Sequence, residues 1–302
     1  MKLIKKVIFA SLLFSGITAF SQDPTCSQFY SNQLILNPAF AGSAACSRVF
    51  LDYRLQWPNI SRGNKTSCVS YDQYSNTLKG GIGFSYIYDD DASTLFSHYA
   101  NVFYSYNLKL SENLLIKPAV NIGFGIRIID WSELFPQQNN PIMRRNYFNA
   151  GAGALFIYKN LIGGFAVDHL NNPIDGFYGT SRLPMKFTAH LSYQFNIKDK
   201  FSITPLMIFQ KEQNFVQYIP NLLFNISHIK FGVGLRTGTN NPDSFISMIG
   251  FQNKWLSIGY SYDYTISKLT NASGGSHEIS AVMKFNCKNK TGKFYIPLLN
   301  GF

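Results

Sequence analysis

The chain has 302 residues, of which 46% are apolar and 16% aromatic, yet only 14% carry charge, against roughly 25% in ordinary soluble domains. A soluble fold this poor in charge would expose broad apolar surface and aggregate, so the composition points to a solvent other than water. The net charge of +11 is scattered, with no cluster longer than Arg144-Arg145 or Lys288-Asn-Lys290, which argues against a nucleic-acid surface and leaves anionic lipid headgroups or acidic partner surfaces as counterparts.

Residues 1–21 read as an export signal. Lys2, Lys5 and Lys6 precede an apolar run from Val7 to Phe20, and Ala19 and Ser21 supply the small residues that a signal peptidase reads. Removal takes away these three lysines and no acids, which lowers +11 to +8. Cys26 does not follow a Leu-x-small pattern and is not expected to be lipidated. No later run reaches about 18 apolar residues, which excludes a spanning helix. A closed β-barrel is the other structure lipid tolerates, because it pairs every backbone N–H and C=O internally.

Residues 22–46 do not alternate and form a separate N-terminal segment. From residue 47 onward, period-2 alternation recurs, the mark of strands with two unlike faces. Fourteen strands are predicted, at 47–56, 65–74, 79–88, 96–109, 113–129, 147–158, 161–168, 185–197, 201–210, 215–226, 229–237, 243–251, 255–266 and 277–285. In the thirteenth, Leu256, Ile258, Tyr260, Tyr262, Tyr264 and Ile266 share one face, while Ser257, Gly259, Ser261, Asp263 and Thr265 share the other. Lys117, Arg127, Lys186, Asp263 and Lys284 all sit on the polar parity of their strands. A lipid-facing Lys or Arg at the midplane would cost about 2–4 kcal/mol, so this sorting puts lipid outside and the polar parity in the lumen. The three tyrosines suit an interfacial belt.

Short turns (76–78, 159–160, 199–200, 227–228) follow even strands, and longer connections (57–64, 130–146, 169–184, 267–276) follow odd ones. That asymmetry is the habit of bacterial outer-membrane barrels, and an even strand count puts both chain ends at the short-turn, periplasmic side. The fold expected is all-β: a transmembrane antiparallel barrel of about fourteen strands at 47–285, an N-terminal plug or periplasmic segment at 22–46, and a periplasmic tail at 286–302. Pro118, Pro205 and Pro220 fall inside strands of a sheet without edges. The first two are expected near the periplasmic rim and Pro220 at a bulge.

Fourteen strands enclose more space than wall side chains alone fill. Leu34, Ile35, Leu36 and Phe40 need cover, which the lumen or its periplasmic mouth provides. "SQFYSNQLILNPAFAGS" at 27–43 and "YRLQWPNI" at 53–60 resemble the opening of the PorP/SprF family. The resemblance continues at "SITPLMIFQ", at "KFGVGLRTG" (230–238) and through 257–285. It implies an outer-membrane protein of the type IX secretion and gliding-motility machinery, non-enzymatic and without a cofactor. It also implies partners: a secreted adhesin or other cargo with a C-terminal sorting domain, and periplasmic secretion or motility components. The surfaces expected to dock such a domain, or to close the mouth, are the lumen wall and Phe29, Tyr30, Asn37, Pro38 and Phe40.

Catalytic and metal chemistry finds little footing. Ser276, His277 and Glu278 are consecutive, so on a strand they point to opposite faces and cannot converge; a loop-to-strand junction is the plainer reading. Gly-x-Ser-x-Gly does not occur. Gly123, Gly125, Gly151 and Gly153 precede no helix and read as glycines facing a crowded lumen. Asp168-His169 reads as a hydrogen-bonded rim pair, since five scattered histidines give no ligand spacing. Cys26, Cys46 and Cys287 are expected at the oxidising periplasmic end and Cys68 near the opposite rim. First and last strands adjoin on closure, so a Cys46–Cys287 seam bond is favoured; a Cys26–Cys46 bond, free thiols or a link to a partner are the alternatives. The rival functions are a small-molecule channel and a membrane-embedded hydrolase.

Overall fold

The computed structural model describes residues 23–287 except 45, 61–62, 133–140, 178, 199, 239–241 and 268–269. The expected export signal and residues 288–302 of the expected tail lie outside them. Fourteen antiparallel strands close into one barrel: β1 Ser47–Gln56, β2 Asn64–Ser75, β3 Gly80–Asp91, β4 Leu95–Tyr106, β5 Leu114–Ile129, β6 Met143–Tyr158, β7 Leu161–Asp168, β8 Lys186–Tyr193, β9 Phe201–Glu212, β10 Phe215–Ile226, β11 Ile229–Gly238, β12 Pro242–Gln252, β13 Leu256–Thr265 and β14 Ser276–Phe285. Each strand pairs with its sequence neighbours, and β1 closes on β14 from Ser47 opposite Phe285 to Gln56 opposite Ser276. The start of β6 lies four residues before the predicted 147. There Met143–Asn146 continue the ladder opposite Ile126–Ile129, although their own sequence lacks a clear alternation.

Alternation decides the faces. Val102, Ile122, Phe148 and Ile249 point away from the lumen and are 58–68% exposed. Lys117, Arg48, Arg54, Asp72, Asp263 and Glu278 point inward and are at most 2% exposed. No described helix is long and apolar enough to cross a membrane; the strands cross it.

The prolines are accommodated by interrupting the strand they face. Opposite Pro118, β4 breaks after Tyr106 and resumes only at Leu108–Lys109; the Asn107 N–H donates to the Lys79 carbonyl, one step beyond the β3–β4 ladder. Opposite Pro205, β8 breaks after Tyr193 and resumes at Phe195–Lys198, with the Gln194 N–H given to the Asn160 carbonyl. A proline has no N–H to offer the ladder, so the carbonyl it faces loses a donor and the pairing lapses beside it. Both interruptions lie toward the short-turn end. Pro220 needs no bulge, contrary to expectation. The pairing of β10 with β11 skips from Tyr218–Thr237 to Asn221–Gly234 and keeps its register. The register shift instead falls on the other side of β11, between Arg236 and Thr237 against β12.

Loop 169–185 folds inward over the long-loop end: Asp175 pairs with Arg127 of β5 and Leu183 is buried. Beside the closing seam, the Trp57 N–H donates to the Gly275 carbonyl (2.9 Å), which ties the β1–β2 and β13–β14 loops together. Cys46 and Cys287 are disulfide-bonded across the short-turn end of that seam.

Candidate functional site

The lumen is occupied by residues 23–44. This segment contains a helical turn, α1 Gln33–Leu36, and a 3-10 turn at Pro38–Phe40, and residues 26–34 and 36–44 are buried. It starts in the long-loop half of the barrel and runs down the lumen to enter β1 at the short-turn end. Only the barrel's own ends therefore lie together at the short-turn side; the segment before β1 doubles back through the pore. Cys26 consequently sits in the long-loop half, away from Cys46, and is a buried free thiol, as is Cys68. Burial first, then the carboxylates of Asp52 and Glu278, push the Cys26 thiol well up, so it stays protonated and unreactive.

Three clusters hold the plug. At the top, Asp23 meets Lys186 Nζ (3.1 Å) and His169 Nε2 (3.2 Å). Burial alone would raise the Asp23 carboxyl, but the two cations outweigh it and hold it well below its ordinary value. Burial likewise pushes the His169 imidazole down, and the Asp23 charge and hydrogen bond overcome this and raise it.

Below, the wall charges grip the backbone. Glu278 accepts from the Ser27 N–H (2.7 Å) and the Gln28 N–H (2.8 Å), and pairs with Arg54 (2.9 Å). Arg54 and Arg236 both pair with Asp263, and the Ser27 hydroxyl donates to that carboxylate. Two guanidinium cations and two carboxylates thus meet around one serine, with their charges balanced and most donors engaged, which is the condition for burying ions at tolerable cost. Cys26, Asp52 and Glu278 bring possible metal-ligand atoms within 4.8 Å of one another. Both Glu278 oxygens are already committed to the plug backbone and Arg54, which leaves that group poorly disposed to coordinate.

At the short-turn end, Arg48 forms a two-point ion pair with Asp72 and donates to Ser43 Oγ (3.0 Å), while Asp72 also accepts from the Gly42 N–H (2.7 Å). Lys117 Nζ (3.0 Å) and Ser105 Oγ (2.8 Å) donate to the Ala41 carbonyl. Asn37 caps the 3-10 turn by accepting from the Ala39 N–H (2.9 Å), and its Nδ2 donates to the carbonyls of Ala154 (3.1 Å) and Phe165 (3.2 Å).

The apolar half of the plug faces an apolar wall. Phe29, Tyr30, Leu36 and Phe40 pack with Leu115, Leu155, Ile208, Ile219, Ile246 and Met248. The Phe40 ring also stacks on His190, centroids 5.3 Å apart. The polar parity predicted for the lumen therefore contains an apolar patch on β5–β7, β9, β10 and β12. Glycines let the backbones approach. A Cβ on Gly81 would collide with the Ala41 carbonyl, and one on Gly153 with Asn37 Oδ1 and Pro38 Cγ. Beside Leu34, Phe103, Asn121 and Lys186 a void of about 70 Å3 remains, room for a few waters.

Phe29, Tyr30, Asn37, Pro38 and Phe40 are thus all buried plug residues, and in this state they hold the segment in place. Sequence reasoning missed the wall charges Arg48, Arg54, Asp72 and Arg236 that hold the segment. One signal was available: each falls on the lumen-facing parity of its strand, where burial without a counter-ion is too costly. His277 and Glu278 diverge as expected: Glu278 enters the lumen, while His277 turns outward to the Tyr260 hydroxyl (2.8 Å). His169 is a hydrogen-bonded rim residue whose partners are Asp23 and Asn149.

The family described as type IX secretion system membrane protein PorP/SprF matches residues 18–283. Among solved structures, the chain is similar to the Acinetobacter baumannii outer membrane protein Omp33, at 11% identity and a TM-score of 0.50, over 81% of this chain and 100% of that one. It is also similar to the Ralstonia pickettii toluene transporter TbuX, at 10% identity and a TM-score of 0.53, over 84% and 92%. The P. putida toluene transporter TodX gives 10% identity and a TM-score of 0.53, over 84% and 94%. These identities speak to the fold alone. No curated protein matches the chain.

Proposed function

Because the chain belongs to the PorP/SprF family of type IX secretion system membrane proteins, we propose that this outer-membrane barrel is a non-enzymatic component that binds a secreted surface protein, an adhesin or other cargo, through its C-terminal sorting domain. It helps to export or anchor that cargo and couples it to the periplasmic machinery. The observation that carries this reading is the filled lumen. A pore held shut by a buried charge lattice and a matched apolar patch is suited to docking rather than to diffusion. Phe29, Tyr30, Asn37, Pro38 and Phe40 serve as the closure, and the sorting domain engages the barrel with this closure in place or displaces it from the wall. The short-turn end, stapled at Cys46–Cys287, is the side offered to periplasmic components.

Affinity capture of the barrel from its own membranes tests the proposal. Recovery of a protein bearing a C-terminal sorting domain, lost when that domain is deleted, supports it. A barrel recovered alone and conducting ions steadily in planar bilayers would favour the small-molecule channel, and the docking reading would fall.

A further inference from the structure

On the outside of the barrel, at the long-loop end, loop 169–185 and the ends of β8 and β9 frame an open cleft of about 500 Å3. Its lining divides by chemistry. Pro184, Met185 and Phe187 are apolar; Arg182 and Lys211 are cationic; Asn172, Ser181 and Gln213 are polar; none is an acid. Lys211 is an exception to the parity rule that governs the strands. It lies on the lipid-facing parity, exposed, one residue before the end of β9, opposite Phe187 on one side and Val216 on the other. The neighbouring Glu212 faces the lumen and does not neutralise it. Phe187 stands 6.3 Å from Phe165, a half-exposed ring on the lipid-facing wall of β7, so the apolar floor of the cleft continues into the surface that meets acyl chains. Arg182 is anchored by donating from Nη1 to the Asn172 carbonyl (2.9 Å), which fixes one edge of its guanidinium and leaves the head exposed at the rim.

A lysine on a lipid-facing strand position is costly at the midplane and tolerable only near the interface. Here it lines one cleft with a second cation, over an aromatic and aliphatic floor, at the long-loop end of the barrel. We propose that this cleft binds the phosphate-bearing headgroup of an outer-leaflet glycolipid. Arg182 and Lys211 take the phosphate, Asn172, Ser181 and Gln213 the sugar hydroxyls, and Met185 and Phe187 the first segment of an acyl chain. A cationic head over a lipid-facing stem matches an amphiphile with an anionic head better than it matches a free anion or a water-soluble protein. The site lies on the outer face of the wall, whereas the neighbouring Lys186 faces the plug at Asp23, and it does not rest on the docking reading above.

Binding is measured by native mass spectrometry of the detergent-purified, disulfide-intact barrel, titrated with a bis-phosphorylated lipid A, the same lipid dephosphorylated, and inorganic phosphate. Phosphorylated lipid A is expected to bind best. Arg182→Gln and Lys211→Gln are each expected to weaken it about fivefold, the worth of one cation near an anionic lipid surface. Met185→Ala with Phe187→Ala is expected to weaken the lipid and leave phosphate untouched. The thermal midpoint of each variant reports folding independently. Equal binding of dephosphorylated lipid, or unchanged affinity in both charge variants, overturns the site. If inorganic phosphate binds as tightly as the whole lipid, the ligand is a free anion and the lipid assignment fails.

Discussion

Arg54 and Glu278 stand directly opposite each other in the ladder that closes the barrel, and their side chains pair at 2.9 Å with neither reaching solvent. The same carboxylate holds the backbone of Ser27 and Gln28. One ion pair thus joins the seam to the plug. Glu278→Ala should cost about 3–5 kcal/mol, because it leaves a buried guanidinium short of charge and two plug N–H groups without acceptors. Urea unfolding in detergent micelles measures the loss. Limited proteolysis should cut near residue 27 in the variant and leave the parent intact.

Gly153 lies against Asn37 and Pro38, where a Cβ has no space. Gly153→Val should therefore displace the 3-10 turn at a cost of about 1–3 kcal/mol. The barrel wall is held by its own ladders, so the strands should survive and the lumen should leak. Unitary conductance in planar bilayers, absent or rare in the parent and frequent in the variant, is the expected outcome; silent membranes with a correctly folded variant would argue against a plug whose fit depends on Gly153.

Ile122 is 66% exposed at the middle of β5, whereas Lys117, on the same strand and the opposite parity, is 1% exposed. Ile122→Lys should destabilise the barrel in bilayers by about 2–4 kcal/mol. The penalty should shrink toward zero when the residue is moved to a strand end such as Lys211. Equilibrium unfolding from liposomes provides the comparison.

The Cys46–Cys287 bond closes a loop spanning a sequence separation of 241 residues. Its reduction should lower stability by about 2–5 kcal/mol, through the freedom regained by the unfolded chain. Cys46→Ser with Cys287→Ser should have the same midpoint as the reduced parent. Intact mass under nonreducing conditions, with alkylation of the two buried thiols only after unfolding, checks the pairing.

Asp23 and His169 supply a pH dependence at the long-loop end. The raised His169 value means that its contribution is complete below its unfolded value of about 6.5 and is lost as pH climbs through the folded value. The depressed Asp23 value works the other way: its contribution is present above about 3.9 and disappears only in strong acid. Lys186 and Asp168 also face the pair, and Lys186 keeps Asp23 partnered when the imidazole loses its proton. Protection factors near residues 23–26, with the intrinsic pH dependence of exchange divided out, should therefore fall moderately as pH rises through the folded His169 value, and His169→Asn should flatten that fall.

Much of this protein was legible in its residues taken one strand at a time. The strict alternation in β13, with tyrosines on one parity and Ser257, Gly259, Ser261 and Asp263 on the other, determined the strand, its two solvents and the membrane. The reason is physical: period 2 is a property of the local backbone, and lipid rejects charge at every position independently. Residues 22–46 carry no such period. Only the closed barrel decided that they thread the lumen, that Cys26 ends far from Cys46, and that Arg54, Arg236, Asp263, Glu278 and Ser27 meet. Those contacts join residues as many as 251 positions apart, and a lone buried charge in a strand says that it needs a partner without saying which.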